Sequence, residues 1–197
     1  AFEVGLKYNT YFLRAHIAGF YRKGKNMIDW VKEKPEDIWE SQNLTKVDNL
    51  GFETNLSLLP RELGNERFFI RKIELGYAFI HQDKDSEGYI SNYALDYLKH
   101  KFTAQLSHSI WKGFSATWYV RWQDRAGSYT KYENLKPAYE EPYSPYCLVD
   151  MKVNWEYQRL NLYAELNNLL ISTYYDLGNI PQPGIWFKAG FRYSFKY

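Results

Sequence analysis

Few residues in this chain stand at spacings that could do chemistry. The run Asp83-Lys84-Asp85-Ser86-Glu87-Gly88 puts acids at the first, third and fifth positions and glycine at the sixth, as a calcium-binding loop begins. The twelfth position, where a bidentate glutamate is needed, is Ala94. The run therefore reads as a solvated hairpin loop, and no metal is assigned. The four histidines, His16, His81, His100 and His108, follow no metal-ligand spacing. Ser107-His108-Ser109 offers a nucleophile and a base by residue type, but it falls at a short turn, and no catalytic residue is assigned. The single Cys147 leaves no internal disulfide and no multi-cysteine metal site. No cofactor is expected.

What the chain carries in excess is aromatic side chains, 19% of 197 residues, with 19 Tyr and 7 Trp. Rings with a polar tip suit places where one end is apolar and the other wet. Several fall in loops: Trp30 and Trp39 in one, Tyr129, Tyr132, Tyr139, Tyr143 and Tyr146 in another, and Tyr174 and Tyr175 in the last. Two readings stand side by side. Such rings can grip a bulky ligand at little entropic cost, or they can pack the loops and the membrane interface. The ligand-binding reading names Trp30, Trp39, Tyr129, Tyr132, Tyr139 and Tyr143.

The elements that would hold these loops are strands. At the C-terminus, Phe187, Ala189, Phe191, Tyr193, Phe195 and Tyr197 alternate with Lys188, Gly190, Arg192, Ser194 and Lys196. A soluble core could bury that aromatic face, whereas in lipid it would face outward with the polar set toward a lumen. The same period recurs at Phe2–Tyr8, Tyr11–Arg22, Leu50–Leu58, Lys72–Phe79, Leu98–Leu106, Phe114–Gln123, Cys147–Glu156 and Leu160–Asn167. Lys23 to Glu40 reads as a solvated linker, and Ala126 to Pro145 as a long Tyr- and Pro-rich loop. A parity change predicts a bulge near Tyr97.

Breaks alternate between short and mostly long, the asymmetry of a barrel with short periplasmic turns and longer extracellular loops. No apolar run is long enough for a helical span. A mean hydropathy of −0.57 does not oppose a barrel, whose strands are half polar. A net charge of +2 is too small to argue for nucleic acid. The fold class expected is all-β, an antiparallel transmembrane barrel segment of about nine strands. Inward charges, among them Arg14, Glu74, Arg121, Lys152 and Glu165, mix both signs. They read as cross-strand ion pairs in a hydrated wall, or as a surface for a polar segment inside the barrel.

Lys188-Ala189-Gly190-Phe191-Arg192-Tyr193-Ser194-Phe195 resembles the C-terminal targeting strand of bacterial outer-membrane barrels, with Tyr197 ending the chain in the same parity. The run from Glu165-Leu166-Asn167-Asn168-Leu169-Leu170 to Pro183-Gly184, followed by Ile185, is similar to the final hairpin of TonB-dependent outer-membrane receptors. Leu170 stands where that family usually has Phe, and Ile185 where it often has Arg. The resemblance implies that residues 1–197 are the C-terminal part of a 22-stranded barrel, the plug and N-terminal strands lying upstream. It implies a Gram-negative outer membrane, energised uptake of cobalamin or an iron–siderophore complex, and no enzyme. The partners implied are the upstream strands and plug, membrane lipid, TonB through the plug, and the barrel assembly machinery through Lys188, Gly190, Tyr193, Phe195 and Tyr197. A passive porin and an outer-membrane hydrolase are the alternative functions. With nine strands the first and last run the same way, so Phe2–Tyr8 and Ile185–Tyr197 should each need a partner beyond these strands.

Overall fold

A computed structural model describes residues 1–34, 37–64, 68–85, 88–91, 97–133, 136–178 and 180–195. In chain order the strands are β1 (Phe2–Asn9), β2 (Leu13–Lys32), β3 (Glu40–Leu58), β4 (Ile70–Asp85), β5 (Ile90–Ser91), β6 (Leu98–Trp111) and β7 (Phe114–Arg125). Then come β8 (Ser128–Glu133), β9 (Lys136–Pro142), β10 (Tyr146–Tyr157), β11 (Leu160–Asn167), β12 (Tyr175–Leu177), β13 (Ile180–Pro181) and β14 (Trp186–Tyr193). Nine of them run side by side through one antiparallel sheet in the order β1-β2-β3-β4-β6-β7-β10-β11-β14, and short β5 joins the same sheet beside β2. Each joins its neighbour in sequence or skips only one or two short loop strands. The all-β, nine-stranded segment read from the alternation is the observed architecture.

The alternation sets the two faces because paired residues share a side and the side-chain period is two. One row across seven strands reads Tyr8, Ala15, Leu56, Leu75, Ala104, Val120, Val149. The row one residue along reads Asn9, Arg14, Ser57, Glu74, Gln105, Tyr119, Asp150. A single register therefore keeps apolar side chains on one face and polar ones on the other. The apolar side is open: Phe2, Leu6 and Phe191 are 80%, 74% and 73% exposed. An aromatic ladder runs across it from Phe52 through Tyr77 and Phe79 to His100 and Trp122, with neighbouring centroids 4.9–6.3 Å apart. His100 sits in this ladder, its Nδ1 hydrogen-bonded to the Tyr77 hydroxyl at 2.8 Å.

The polar face is concave. A cavity of about 720 Å³ lies against it, lined from β1 through β10 by Lys7, Arg14, Glu74, Arg121 and Asp150 among others. Ion pairs cross the strands on this side. Glu165 of β11 takes Lys152 of β10 at 2.7 Å and Lys188 of β14 at 3.0 Å, while within β4 Lys72 meets Glu74, two residues on, at 2.8 Å.

Two segments differ from the sequence reading. Most of the expected linker from Lys23 is strand, because β2 runs on to Lys32 and β3 begins at Glu40. Register shifts between Gly24 and Ile28, with Asn26 at a φ of 56°, break the alternation there without ending the pairing. The loop expected from Ala126 to Pro145 contains the β8–β9 hairpin. The bulge expected near Tyr97 has its counterpart in a register shift between Leu98 and His100, where one residue is inserted opposite Arg125 and Asp124. Tyr93 and Leu95, which suggested it, lie outside the described residues, as do Ser86, Glu87 and Ala94 of the calcium-like run.

Candidate functional site on the loop rim

The connections β2–β3, β4–β6, β7–β10 and β11–β14 leave from one end of the sheet and carry most of the aromatic residues singled out above. They form two separate constructions.

The first joins the β8–β9 hairpin to the loop between β11 and β14. Tyr129 is its hub and is 7% exposed. Its ring lies 5.2 Å from that of Tyr143 and stacks on Tyr175 at 5.3 Å. Its hydroxyl donates to Glu141 at 3.2 Å. Lys131 reaches over both Tyr129 and Tyr175 and bonds Glu141 at 3.1 Å. Burial pushes the Tyr129 phenol above its ordinary pKa, and the bond to Glu141 raises that of the Lys131 ammonium. Tyr143, also 7% exposed, accepts the Gly178 N–H at 2.9 Å, and Arg125 lies over its ring. The single Tyr146 O–H is shared between Gln123 Oε1 and Asp176 Oδ1, and its ring packs on Tyr174 at 4.6 Å. Tyr132 and Tyr139 project from the same hairpin and are each 53% exposed.

The base of that last loop is tied by Asn168, 3% exposed with a φ of 54°. Its Nδ2 donates to the carbonyls of Ser172 and Pro183, its Oδ1 accepts from the Ser172 N–H, and its own N–H donates to Asp150 at 2.7 Å. Ser172 in turn donates its hydroxyl to the Cys147 carbonyl. One amide thus closes the two ends of the loop onto β10.

The second construction is the upper part of β2 and β3, which β5 covers by pairing with Val31 and Lys32. Val31, Asp29 and, lower on β3, Val47 are buried in this region. Ile28 and Trp30, on the alternate side, are 75% and 46% exposed. Trp39 is 36% exposed, with Lys32 Nζ 4.6 Å from its ring centroid. A cavity of about 300 Å³ opens between Val31, Glu33, Asp37, Glu40 and Tyr89.

Of the aromatic residues expected to contact a ligand, Trp30, Trp39, Tyr132 and Tyr139 are therefore on the surface, and Tyr129 and Tyr143 are inside the loop packing. Sequence reasoning missed Lys131, Arg125 and Asp176, which fix the tyrosines. It also gave no role to Asn168, although the Asn-Asn-Leu run was visible. In the last strand Lys188 bonds Glu165 and lies over Trp186; the strand ends at Tyr193, short of Phe195, and the Tyr193 and Phe195 rings meet edge-on at 4.9 Å across that end. Gly190 is a socket: a Cβ there would fall 2.5 Å from the Tyr163 hydroxyl and 2.6 Å from its Cζ. Tyr197 lies outside the described residues.

Ser107-His108-Ser109 does not assemble a nucleophile and base. His108 turns to the apolar face, where its Nε2 accepts the Trp118 indole N–H at 3.2 Å. Ser107 turns to the polar face and pairs with the Thr117 hydroxyl at 3.0 Å. Ser109 accepts from two arginines on that same side. Among the described residues, no group of three or more His, Cys, Asp or Glu could hold a metal ion.

Comparison with known proteins gives the following. The family model described as TonB dependent receptor-like, beta-barrel, matches residues 1–169. No curated protein matches the sequence. Among solved structures, the FrpB iron transporter from Neisseria meningitidis (F3-3 variant) is similar with a TM-score of 0.71 at 16% identity, over 98% of this chain and 30% of that one. The copper transporter OprC is similar at 0.70 and 15% identity, over 98% and 30%. The siderophore receptor PiuA from Acinetobacter baumannii is similar at 0.69 and 14% identity, over 97% and 28%. The chain spans under a third of the length of each. At these identities the likeness is one of fold.

Proposed function

The chain belongs to the TonB-dependent receptor β-barrel family, and from that premise we propose that it is part of the wall of a receptor in the outer membrane of a Gram-negative bacterium. The receptor takes up a bulky, scarce ligand with energy delivered through TonB. The observation that carries this is the two-faced sheet, one register holding an open apolar face against a concave polar one with a large cavity. Residues 1–197 are the C-terminal part of a 22-stranded barrel in this reading. β1 and β14 stand at opposite ends of the strand order, and in lipid each free edge needs a partner strand. The plug occupies the concave side and supplies the contact to TonB. Lipid covers the apolar face, and Lys188, Gly190, Tyr193, Phe195 and Tyr197 present the last strand to the assembly machinery.

The ligand is of the iron–siderophore or cobalamin kind. The iron, copper and siderophore named for the similar structures favour a metal chelate. Trp30, Trp39, Tyr132 and Tyr139 touch it, while Tyr129 and Tyr143 hold the loops that present them.

Uptake of a radiolabelled ferric siderophore by cells carrying the full receptor, with and without TonB, tests the function. Uptake that survives loss of TonB would make the protein a passive channel. For the wall itself, Val120→Arg places a charge on the lipid side and should cost about 2–4 kcal/mol in folding assays, and Tyr119→Arg on the inner side much less. Equal tolerance of the two would reverse the faces.

A further inference from the structure

At the end of the sheet opposite the aromatic loops, the connection between β3 and β4 makes a short 3-10 helix, Pro60–Leu63. Arg61 in that turn donates Nη2–H to the Ser109 hydroxyl at 2.6 Å and Nε–H to the Phe68 carbonyl at 2.9 Å. Arg71, the residue inserted at the register shift between Ile70 and Lys72, donates Nε–H to the same Ser109 oxygen at 2.9 Å. The Ser109 N–H is bonded to the Phe69 carbonyl at 2.7 Å. Backbone and side chain therefore fix this serine together.

A serine hydroxyl has two acceptor lone pairs and one donor. Here two guanidinium groups take both lone pairs. What the three side chains have left to offer is donors only: the Ser109 O–H and the unused arginine N–H groups. Two guanidiniums bonded to one oxygen lie within about 6 Å of each other, and all three residues are half-buried. Among the described residues no carboxylate oxygen lies within salt-bridge distance of either arginine. The wall treats its lysines otherwise, since Lys72, Lys152 and Lys188 each meet a glutamate within 3.0 Å. Two like charges held together behind a donor-only surface are stabilised by an anion.

The face decides the source. Ser109 is in register with Ser115, and Ser115 with Asn154, on the polar concave side. Lipid lies on the other side. A guanidinium fork matches the planar, two-oxygen geometry of a carboxylate. A carboxylate tethered to a chain inside the barrel would also act at an effective concentration that a free solute cannot reach.

We propose that Arg61, Arg71 and Ser109 form an oxyanion site whose occupant is the carboxylate of an Asp or Glu on a polypeptide segment inside the barrel, at its short-turn end. The site rests on the receptor-wall reading and gives that wall a specific partner group.

The test uses the complete receptor with Arg71→Lys, which places an amine at the site, and a water-soluble carbodiimide, which joins an amine to a touching carboxylate as an amide. Mass spectrometry of the digest should find position 71 joined to an Asp or Glu outside residues 1–197. Joining of Lys152 to Glu165 in the same digest serves as the control for an intact wall. Should Arg71→Lys fail to assemble, Arg61→Lys serves the same purpose. Control coupling without any amide at either position overturns the site, as does coupling to any carboxylate within residues 1–197, such as Glu62, Glu66, Glu74 or Glu156. Inorganic phosphate retained by the native receptor and lost in Arg61→Gln/Arg71→Gln, with no coupling, would mean a small-anion site and overturns the polypeptide source. Loss of TonB dependence in uptake sinks the receptor reading alone, and an absent amide in an active receptor sinks the site alone.

Discussion

On one rim of the sheet, Tyr129 and Tyr143 are each 7% exposed, while Trp30 and Trp39 are 46% and 36% exposed. Both groups come from long, polar, aromatic-rich connections. The difference lies in the partners. Each buried tyrosine has a hydrogen bond for its hydroxyl, to Glu141 in one case and from the Gly178 N–H in the other, so its ring can be covered without stranding a polar group. Lys131 and Arg125 add charge over the rings. Trp30 follows the strand alternation of β2: Asp29 and Val31 are buried on one side, and Trp30 turns to the other, while Trp39 lies in the connection before β3. Aromatic content alone thus says little about use. One loop pair spends its rings on holding itself together, and the other presents them.

Tyr129→Ala should break this contrast most. It removes two ring contacts and leaves a cavity, a change of about 3–5 kcal/mol for a large buried ring. Amide hydrogen exchange should accelerate over both 128–142 and 175–181. Trp30→Ala should stay within about 0.5 kcal/mol by the same measurement, as a surface change does. Equal acceleration would erase the distinction.

For ligand capture the order should invert. Trp30→Ala and Trp39→Ala should each cost about 1–2 kcal/mol of affinity, roughly 5- to 30-fold in Kd, with the barrel still folded. Deleting both the loop around Trp30 to Trp39 and the one around Tyr129 to Tyr146 should weaken capture further. Unchanged affinity after both deletions would end the idea that these loops carry the ligand.

The finest test is Tyr146→Phe. The ring stays against Tyr174 and only the donor to Gln123 and Asp176 is lost, worth about 1 kcal/mol. The expected readout is faster exchange at 175–177 with β7 and β10 unchanged. A response spread through β10 would mean that the loop and the wall melt as one unit.

The wall was legible because its period is two and its face pattern survives through every pairing: Val120, Val149 and Leu75 could be placed from sequence alone. The upper part of β2 was not, since Asn26 and the register shifts beside it interrupt the alternation while hydrogen bonding continues. The β8–β9 hairpin was hidden by prolines, whose composition reads as loop. The tyrosine hub was half legible: its ring types were plain, but Lys131, Glu141 and Tyr175 meet only after two loops fold together. The meeting of Arg61, Arg71 and Ser109 left no trace, and Ser109 stood out only as part of Ser107-His108-Ser109. The three come from places 38 and 48 residues apart, and no local pattern records such a meeting.

The knot at Asn168 has a consequence for how such a protein can change over time. Because one buried amide draws Ser172 and Pro183 to the same point, the stretch beyond it hangs from a fixed neck. Insertions or exchanges there alter the head of the loop and leave the neck, and so the registers of β11 and β14, as they were. The loop can then diversify as a replaceable cassette on a sheet that does not have to be refolded around each new version.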